Sequence, residues 1–381
     1  MSDPGAIGAF LEPHHGETAG RVRAWCDEHL RDRPEPADDD AARTEAREVM
    51  GLLGAAGWFR CIGDQDFRTC GLVREALADA SPLADAVFAL QALGSVPMIL
   101  SPNEARREEW VPRILDGTAM SAFAMTEPGA GSDVASLATT AVRDGDGYVL
   151  NGTKTFISNG GLADVYTVFA QADPARGKKG ITAFVVPADT PGFRFVKAQV
   201  LSSPHPLGEI AFEDCRVPVD HRLGEEGDGL RLGLATLDRL RATVAAAACG
   251  MAGRALHEAV HRAKTRKQFG QPLAAHQLVQ QKIARMATEL TASRLLTYQA
   301  LWKKDGGASR VSLESGMAKA YATEAAQRIV DDAVQILGGR GVLMDHPVDR
   351  LYRSVRALRI YEGTTEIQQL IIAGHVLADG D

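Results

Sequence analysis

Two segments in the first half of the chain combine small, hydroxyl and aromatic residues in a pattern that suits binding of a phosphate or a planar ring. Residues 123–133 read FAMTEPGAGSD, and residues 151–160 read NGTKTFISNG after a predicted hairpin. Free backbone N–H groups in a Gly-rich loop can hold an anion or the polar edge of a ring, and an aromatic side chain can stack on that ring. Taken alone, the first segment is equally compatible with an ordinary turn, because proline and small residues also favour turns.

A basic cluster in the second half of the chain could bind a diphosphate. Residues 264–270 read KTRKQFG, and arginine suits this task because its guanidinium is permanently charged and forms paired hydrogen bonds. The alternative is a solvated helix end, since cations are favoured at a helix C-terminus. Further along, residues 335–341 read QILGGRG, and glycines of this kind let the backbone approach a ligand closely.

Glu362 is the strongest candidate for a catalytic base. It lies in residues 361–368, YEGTTEIQ, directly after the largely apolar residues 355–360. Apolar surroundings desolvate a carboxylate and raise its pKa toward the range in which it can take a proton. The alternative is a structural role, because a glutamate near a helix start often stabilises only the helix.

The hydrophobic pattern predicts the elements that must position these motifs. Residues 18–117 have helical periodicity, and residues 120–219 change to short strands with hairpin turns at residues 144–147 and 151–152. Beyond residue 227 the helical period returns in long segments, which predicts a bundle of antiparallel helices. Glycine-containing stops divide these segments at residues 269–272, 305–307 and 338–341.

The composition excludes several classes of function. With 42 Lys and Arg against 49 Asp and Glu, the formal net charge is −7, which provides no global field to attract nucleic acid or an anionic membrane. We therefore expect neither as a partner. The five cysteines lack CxxC spacing, so neither a disulfide framework nor a metal site is predicted. No export signal or membrane span is recognised, which favours a cytoplasmic location.

In their order and spacing, these five motifs resemble those of the acyl-CoA dehydrogenase family, and the resemblance extends over nearly the whole chain. It implies an α+β multidomain fold, in which an N-terminal helical domain (residues 1–118) precedes a small β-barrel-like domain (residues 119–225) and a C-terminal four-helix bundle (residues 226–381). It also implies FAD, held between the β domain and the bundle and completed by a neighbouring subunit of a homotetramer or a dimer.

The resemblance assigns roles to individual residues. Glu362 matches the catalytic base, and Leu240 matches a position where some relatives carry their base instead. Residues matched to FAD contacts are Thr126, Ser132, Phe156, Ser158, Arg266, Phe269, His276, Gln277, Gln335, Gly338, Gly339, Thr364 and Glu366. Residues matched to the substrate site are Ser95, Ser132, Asp238, Arg241, Tyr361 and Gly363. For Asp238 and Arg241, a simple ion pair on a helix face is the alternative.

The implied reaction converts an acyl-CoA to its 2,3-enoyl-CoA. In the family, the base removes a proton from the α carbon while the β hydride passes to the flavin, and a carrier such as electron-transferring flavoprotein takes the electrons. Two rivals are an acyl-CoA oxidase-like or otherwise diverted member that uses oxygen, and a noncatalytic flavoprotein that binds nucleic acid. The negative net charge and the intact YEG at residues 361–363 disfavour the second rival.

Three segments bear on the substrate. Residues 93–99 are expected to close the acyl end of the pocket, where the small Ser95 would admit short, branched or cyclic chains, although core packing alone would give the same apolar run. Residues 201–209 depart from the family pattern, which puts the flavin or acyl contacts of that loop in question. Residues 373–375 read AGH, at a position where members of the family frequently have Ala-Arg. This difference predicts the loss of one polar contact near the active site.

Overall fold

The computed structural model describes residues 4–378, which form two compact units. The first unit contains the described residues up to Glu35, the segment Asp66–Asp85 and the chain from Asp238 onward, and the second contains Pro36–Gln65 and Ala86–Leu237. Each unit joins segments that are distant in sequence, so the boundaries expected after residues 118 and 225 stay predictions. The α+β class is confirmed.

Helices occupy both ends of the chain and strands occupy its middle, as the hydrophobic pattern predicts. The helices are α1 (Pro13–His29), α2 (Asp39–Ala55), α3 (Arg60–Gly63), α4 (Phe67–Ala80), α5 (Pro82–Leu100), α6 (Glu104–Leu115), α7 (Gly229–Thr265), α8 (Gln277–Asp305), α9 (Ser312–Leu337), α10 (Pro347–Leu358) and α11 (Thr365–Ala378). The strands are β1 (Ser121–Ala124), β2 (Thr140–Asp144), β3 (Gly147–Ser158), β4 (Val165–Gln171), β5 (Ile181–Pro187), β6 (Phe193–Ala198), β7 (Leu207–Pro218), β8 (Arg222–Leu223), β9 (Lys267–Gln268) and β10 (Gln271–Pro272).

The three long helices end near the predicted stops. α7 ends at Thr265, just before the β9-β10 hairpin, and α8 ends at Asp305, just before two glycines. α9 ends at Leu337, and the next residue, Gly338, has φ 64°. A backbone in this region cannot continue a right-handed helix, and glycine adopts it without steric cost.

Small residues let the helices of the first unit approach closely. A Cβ on Gly71 of α4 would lie 2.5 Å from Cδ1 of Leu301 on α8, and a Cβ on Gly250 of α7 would lie 2.1 Å from the Glu75 carbonyl oxygen. The alanines at residues 245–248 of α7 are fully buried. α4 therefore packs with its backbone almost in contact with α7.

A buried ion pair joins α4 to α8. The Glu75 carboxylate accepts hydrogen bonds from Arg294 (Nη2–Oε1 2.7 Å) and from the Tyr298 hydroxyl (Oη–Oε2 2.9 Å). All three residues are buried. Since neither charge can be hydrated, the loss of either partner would leave the other uncompensated.

The second unit contains a mixed sheet. Its hydrogen-bonded order is β6-β7-β3-β2-β4-β5-β8, with β1 also paired to β4. β1 and β2 run parallel to β4, and the remaining neighbours are antiparallel. Residues of α5, α6 and the start of α7 pack on this sheet in a core that includes Met98, Trp110, Phe169, Val185 and Leu232.

The turn predicted at residues 151–152 is wrong. Both residues lie inside β3, which pairs with β7 on both sides of them. The register shifts between Leu150 and Gly152, and Gly152 has φ 153°. Two residues of β7, Glu213 and Asp214, face the single residue Asn151, so β7 carries the extra residue of a bulge and β3 continues without reversing. A second register shift follows between Lys154 and Ile157, so β3 is irregular through the NGTKTFIS motif.

Within the described part of the chain, α5 alone is long and apolar enough to cross a bilayer by composition. Most of this helix is buried inside the protein, and side chains such as Val87, Phe88 and Met98 lie in the core. Packing therefore accounts for its apolar character.

We predict that Glu75→Gln lowers the free energy of unfolding by about 3–5 kcal/mol, because it leaves Arg294 charged and buried without a counter-ion. Urea denaturation at pH 7 measures the change. The matched control is Glu28→Gln on α1, whose side chain is 77% exposed and whose substitution should change stability by less than about 0.5 kcal/mol. Equal stability of the two variants would contradict the structural role of the pair.

Candidate active site

The loop between α10 and α11 holds Glu362 in an unusual backbone conformation. Glu362 has φ 54° and Gly363 has φ 92°. This conformation suits glycine but costs about 1–3 kcal/mol for a residue with a side chain. The loop is braced at both ends by Glu324 of α9, which accepts hydrogen bonds from Arg359 Nε (2.7 Å) and the Thr365 hydroxyl (2.8 Å).

One carboxylate oxygen of Glu362 is hidden from solvent without a partner. Oε2 accepts no hydrogen bond from the residues that the structure describes. Burial raises the pKa of Glu362, while the positive charges of Arg74, Arg241 and Lys319 act in the opposite direction. The upward direction agrees with the expectation from the apolar residues that precede it. An oxygen of this kind is available to take a proton from a bound molecule.

Arg74 is fixed by a paired interaction with Asp85. Its Nε and Nη2 donate to the two carboxylate oxygens at 2.8 and 3.0 Å, and its Nη1 donates to the Thr243 hydroxyl at 2.9 Å. Arg74 and Asp85 are each 2% exposed. Burial is the largest influence on the pKa of Glu362; the Arg74 charge lowers this pKa and the Asp85 charge raises it.

Asp238 and Arg241 of α7 differ from the simple surface pair that their spacing allows, since each is only 7% exposed. Asp238 accepts hydrogen bonds at the start of α9 from the Val311 N–H (3.2 Å) and the Ser312 hydroxyl (2.6 Å). Arg241 Nε instead donates to the carbonyl oxygen of Glu362 (3.3 Å). Asp238 therefore caps a neighbouring helix, and Arg241 contacts the Glu362 loop.

In the second unit, a buried ion pair anchors the first Gly-rich segment. Lys154 Nζ donates to Glu127 Oε1 (2.7 Å) and to two backbone carbonyl oxygens. Burial lowers the pKa of Lys154 to about 8, and the Glu127 carboxylate opposes that change. The Thr155 N–H donates to the Thr126 carbonyl oxygen (3.0 Å). The FAMTEPGAGSD and NGTKTFISNG segments therefore lie side by side.

Phe156 is both conformationally strained and exposed. It has φ 53°, and 62% of its surface is accessible. Its N–H donates to Gln199 Oε1 (2.7 Å), and Gln199 Nε2 donates to the Thr155 hydroxyl (2.8 Å). No motif in the sequence identifies Gln199, because a single glutamine after a strand is common. A strained and exposed aromatic residue indicates a binding surface.

Ser158 contacts the segment that departs from the family pattern. His205 Nε2 lies 2.9 Å from Ser158 Oγ. Burial lowers the pKa of His205 to about 4, so the ring is neutral at pH 7 and can share one hydrogen with the hydroxyl. Residues 201–209 thus supply a polar contact of their own, which sequence analysis did not identify.

Two further motifs of the first unit are open to solvent. In the β9-β10 hairpin, Phe269 has φ 51° and is 95% exposed, and its ring centroid lies 6.1 Å from that of His276. Arg266 is exposed, and its side chain has no hydrogen-bond or ion-pair partner within the described chain. At the end of α9, a Cβ added to Gly338 or Gly339 would meet nothing within 4 Å.

The remaining residues predicted for the site lie as follows. Ser95 is fully buried, and its hydroxyl donates to the Gln91 carbonyl oxygen at 2.6 Å within α5. Exposed side chains are those of Ser132, Gln277, Gln335, Tyr361 and Glu366; half-buried ones are those of Thr126, Ser158 and Thr364. Their roles toward cofactor and substrate stay predictions.

Family models match most of the chain beyond the N-terminal helices. The model for the acyl-CoA dehydrogenase middle domain matches residues 122–215, and the model for the C-terminal domain matches residues 227–377. An acyl-CoA dehydrogenase of Bacillus subtilis (strain 168) is 43% identical over 292 residues, which cover 75% of this chain and 76% of that protein. A 3-(aryl)acrylate reductase of Clostridium sporogenes (strain ATCC 15579) is 38% identical over 355 residues, covering 90% and 94%.

The fold agrees with solved structures of the same family. Butyryl-CoA dehydrogenase from Megasphaera elsdenii matches with a TM-score of 0.87 at 33% identity, covering 96% of this chain and 99% of that chain. Other matched structures include FAD and FADH2 complexes and a chain from work on the electron transferring flavoprotein of Acidaminococcus fermentans. Motif order, fold and sequence matches together lead to one conclusion: the chain belongs to the acyl-CoA dehydrogenase family, whose members are FAD-dependent oxidoreductases.

Proposed function

We propose that the protein dehydrogenates an acyl-CoA thioester to the 2,3-enoyl-CoA, with Glu362 as the base that removes the α proton. The observation that carries this proposal is the shielded, unpartnered Oε2 of Glu362. A carboxylate that already accepted several hydrogen bonds would be a weaker base, because those bonds stabilise its charged form. Glu362 keeps one oxygen free of such bonds.

The surroundings of Glu362 favour proton transfer in two ways. Burial raises the pKa of its carboxylate, which strengthens the base. The cations Arg74, Arg241 and Lys319 lower this pKa, which favours the ionised form that a base requires. A base works best when its pKa approaches the working pH without exceeding it.

The predicted FAD contacts fit a flavin nucleotide. Phe156 and Phe269 are exposed aromatic residues on strained backbone, Arg266 is a cation without an internal partner, and the backbone at Gly338–Gly339 is open. Aromatic side chains suit the ring systems, and the arginine suits the diphosphate. FAD, when bound, accepts a hydride from the β carbon of the substrate.

We also propose that FAD binding involves a second copy of this chain, in a dimer or a homotetramer. Support comes from Phe269, which is 95% exposed, and from Leu278 and Met344, which are 76% and 77% exposed. Large apolar side chains of this kind favour burial against another subunit. We propose a cytoplasmic location and an electron-transferring flavoprotein as acceptor, the latter supported by the matched chain from work on such a carrier.

For the acyl group, we propose a short, branched or cyclic chain, on the basis of the small Ser95 in α5. A relative named as a 3-(aryl)acrylate reductase favours a second candidate function, reduction of an unsaturated substrate. In that direction Glu362 would return the proton to the α carbon. Both directions require the Glu362 carboxylate to exchange a proton with the α carbon.

We predict that Glu362→Gln keeps the fold and binds FAD, because glutamine preserves the shape of the side chain. The rate of flavin reduction should fall by about 10²–10⁴-fold, because glutamine cannot accept a proton. Anaerobic bleaching of the flavin by a panel of acyl-CoA thioesters measures the rate. In the unsubstituted protein the rate should rise with pH through a pKa higher than that of an ordinary glutamate, because only ionised Glu362 is a base. Glu28→Gln is the surface control, and near-normal bleaching by Glu362→Gln would refute the proposed role.

We predict that Arg266→Ala weakens FAD retention and subunit association together. Loss of a charge-assisted hydrogen bond costs about 1.5–3 kcal/mol, which corresponds to roughly 10-fold to 100-fold in affinity. The ratio of flavin to protein absorbance after gel filtration, combined with light scattering, measures both effects. Arg310→Ala removes another exposed arginine of the first unit and should change neither quantity. Full FAD occupancy in Arg266→Ala would show that Arg266 is only a surface charge.

A further inference from the structure

Three side chains donate hydrogen bonds to the two backbone carbonyl groups of the Glu362 loop. Lys319 Nζ lies 2.7 Å from the Gly363 oxygen, and Gln368 Nε2 lies 3.1 Å from the same oxygen and 3.3 Å from that of Glu362. Arg241 Nε completes the set at 3.3 Å from the Glu362 oxygen. The donors come from α9, α11 and α7, so three separate helices converge on two successive peptide groups.

Lys319 is the most unusual of these donors. It is fully buried, as is Gln368, and the Gly363 carbonyl is the only hydrogen-bond acceptor of its ammonium group within residues 4–378. A buried ammonium without a directly bonded carboxylate is costly. A purely structural donor at this position would not need a charge, since the amide of Gln368 already contacts the same oxygen.

The donors lie close against a loop with left-handed backbone. Glu362 and Gly363 both have positive φ, and a Cβ added to Gly363 would lie 2.4 Å from Gln368 Nε2. No side chain fits between the loop and its donors. Rotation of either peptide toward a relaxed conformation would remove its carbonyl from these donors and turn the Glu362 side chain with it.

We propose that Lys319, together with Gln368, is a positioning residue that fixes the left-handed backbone of Glu362 and faces its carboxylate with a positive charge. This inference rests on the proposed role of Glu362 as the base. Burial lowers the pKa of Lys319 to about 8, so the ammonium remains largely charged at pH 7.

The groups that face Lys319 electrostatically are Glu362 in the loop, Arg241 on α7, Glu324 on α9 and Glu366 on α11. Three of these are acids, which favour the charged lysine, and one is a cation, which opposes it. In the other direction, the charge of Lys319 lowers the pKa of Glu362. Removal of this charge should therefore move the ionisation of Glu362 to higher pH.

The test compares Lys319→Met with Lys319→Gln, using the FAD-loaded protein and the best acyl-CoA from the panel. In Lys319→Met the maximal rate of flavin reduction should fall by about tenfold or more, since misplacement of a reacting group by 1 Å can cost about 100-fold. The acid limb of the rate should also move up by about one pH unit. Lys319→Gln keeps an N–H donor without charge, so it should recover much of the maximal rate while the acid limb stays displaced.

Lys304→Met is the matched control. Lys304 is also buried and donates to two backbone carbonyl oxygens, those of Ala308 (2.9 Å) and Ser309 (3.1 Å), away from the Glu362 loop. This variant should lose stability without a change in the pH profile. Should Lys319→Met fail to fold, the pH profile of Lys319→Gln decides alone.

The outcomes separate this inference from the proposed function. Normal flavin reduction by Glu362→Gln would refute the proposed base itself. Loss of activity in Glu362→Gln, with an unchanged pH profile and rate in the Lys319 variants, would overturn the positioning role and leave the proposed base intact. A displaced acid limb in both Lys319 variants, absent in Lys304→Met, supports the inference.

Discussion

The surroundings of Glu362 impose a cost on the first unit, because one carboxylate oxygen is shielded from water and accepts no hydrogen bond from the described residues. An unsatisfied buried polar atom costs about 1–3 kcal/mol, and the left-handed backbone of Glu362 adds a cost of similar size. A short loop cannot maintain both by itself. The stability has to come from helix packing elsewhere, such as the close approach of α4 to α7 and the Glu75–Arg294 pair between α4 and α8.

None of the cations around Glu362 in the described structure forms an ion pair with its carboxylate. The guanidinium N–H groups of Arg74 already donate to Asp85 and Thr243. Arg241 and Lys319 donate to the loop carbonyl groups rather than to the carboxylate. Each cation therefore acts on Glu362 through space, which moderates the pKa without forming an ion pair that would make the carboxylate a weak base.

Local patterns in the sequence predict the helices, most strands and the motifs, because periodicity and glycine stops are properties of short segments. The Glu75→Gln and Lys319→Met predictions depend on residues that no such pattern identifies. Lys319 and Gln368 occupy helical positions where polar side chains usually face solvent, and their burial arises only when α9 and α11 pack together. The same holds for Gln199 and His205, which act across strands. Asn151-Gly152 predicts a hairpin turn, because this dipeptide favours such turns, and only the pairing with β7 shows that the strand continues through it.

Backbone strain gives independent support for where ligands bind. In the described chain, positive φ occurs at six residues other than glycine: Gln65, Phe156, Asn159, Asp214, Phe269 and Glu362. Phe156 and Phe269 are also among the exposed aromatic residues, so internal packing does not explain why their strain persists. The backbone of Glu362 is held by donors from three helices, yet its carboxylate Oε2 accepts no hydrogen bond from the described residues. Contact with a cofactor, a substrate or a second subunit would compensate this conformational cost.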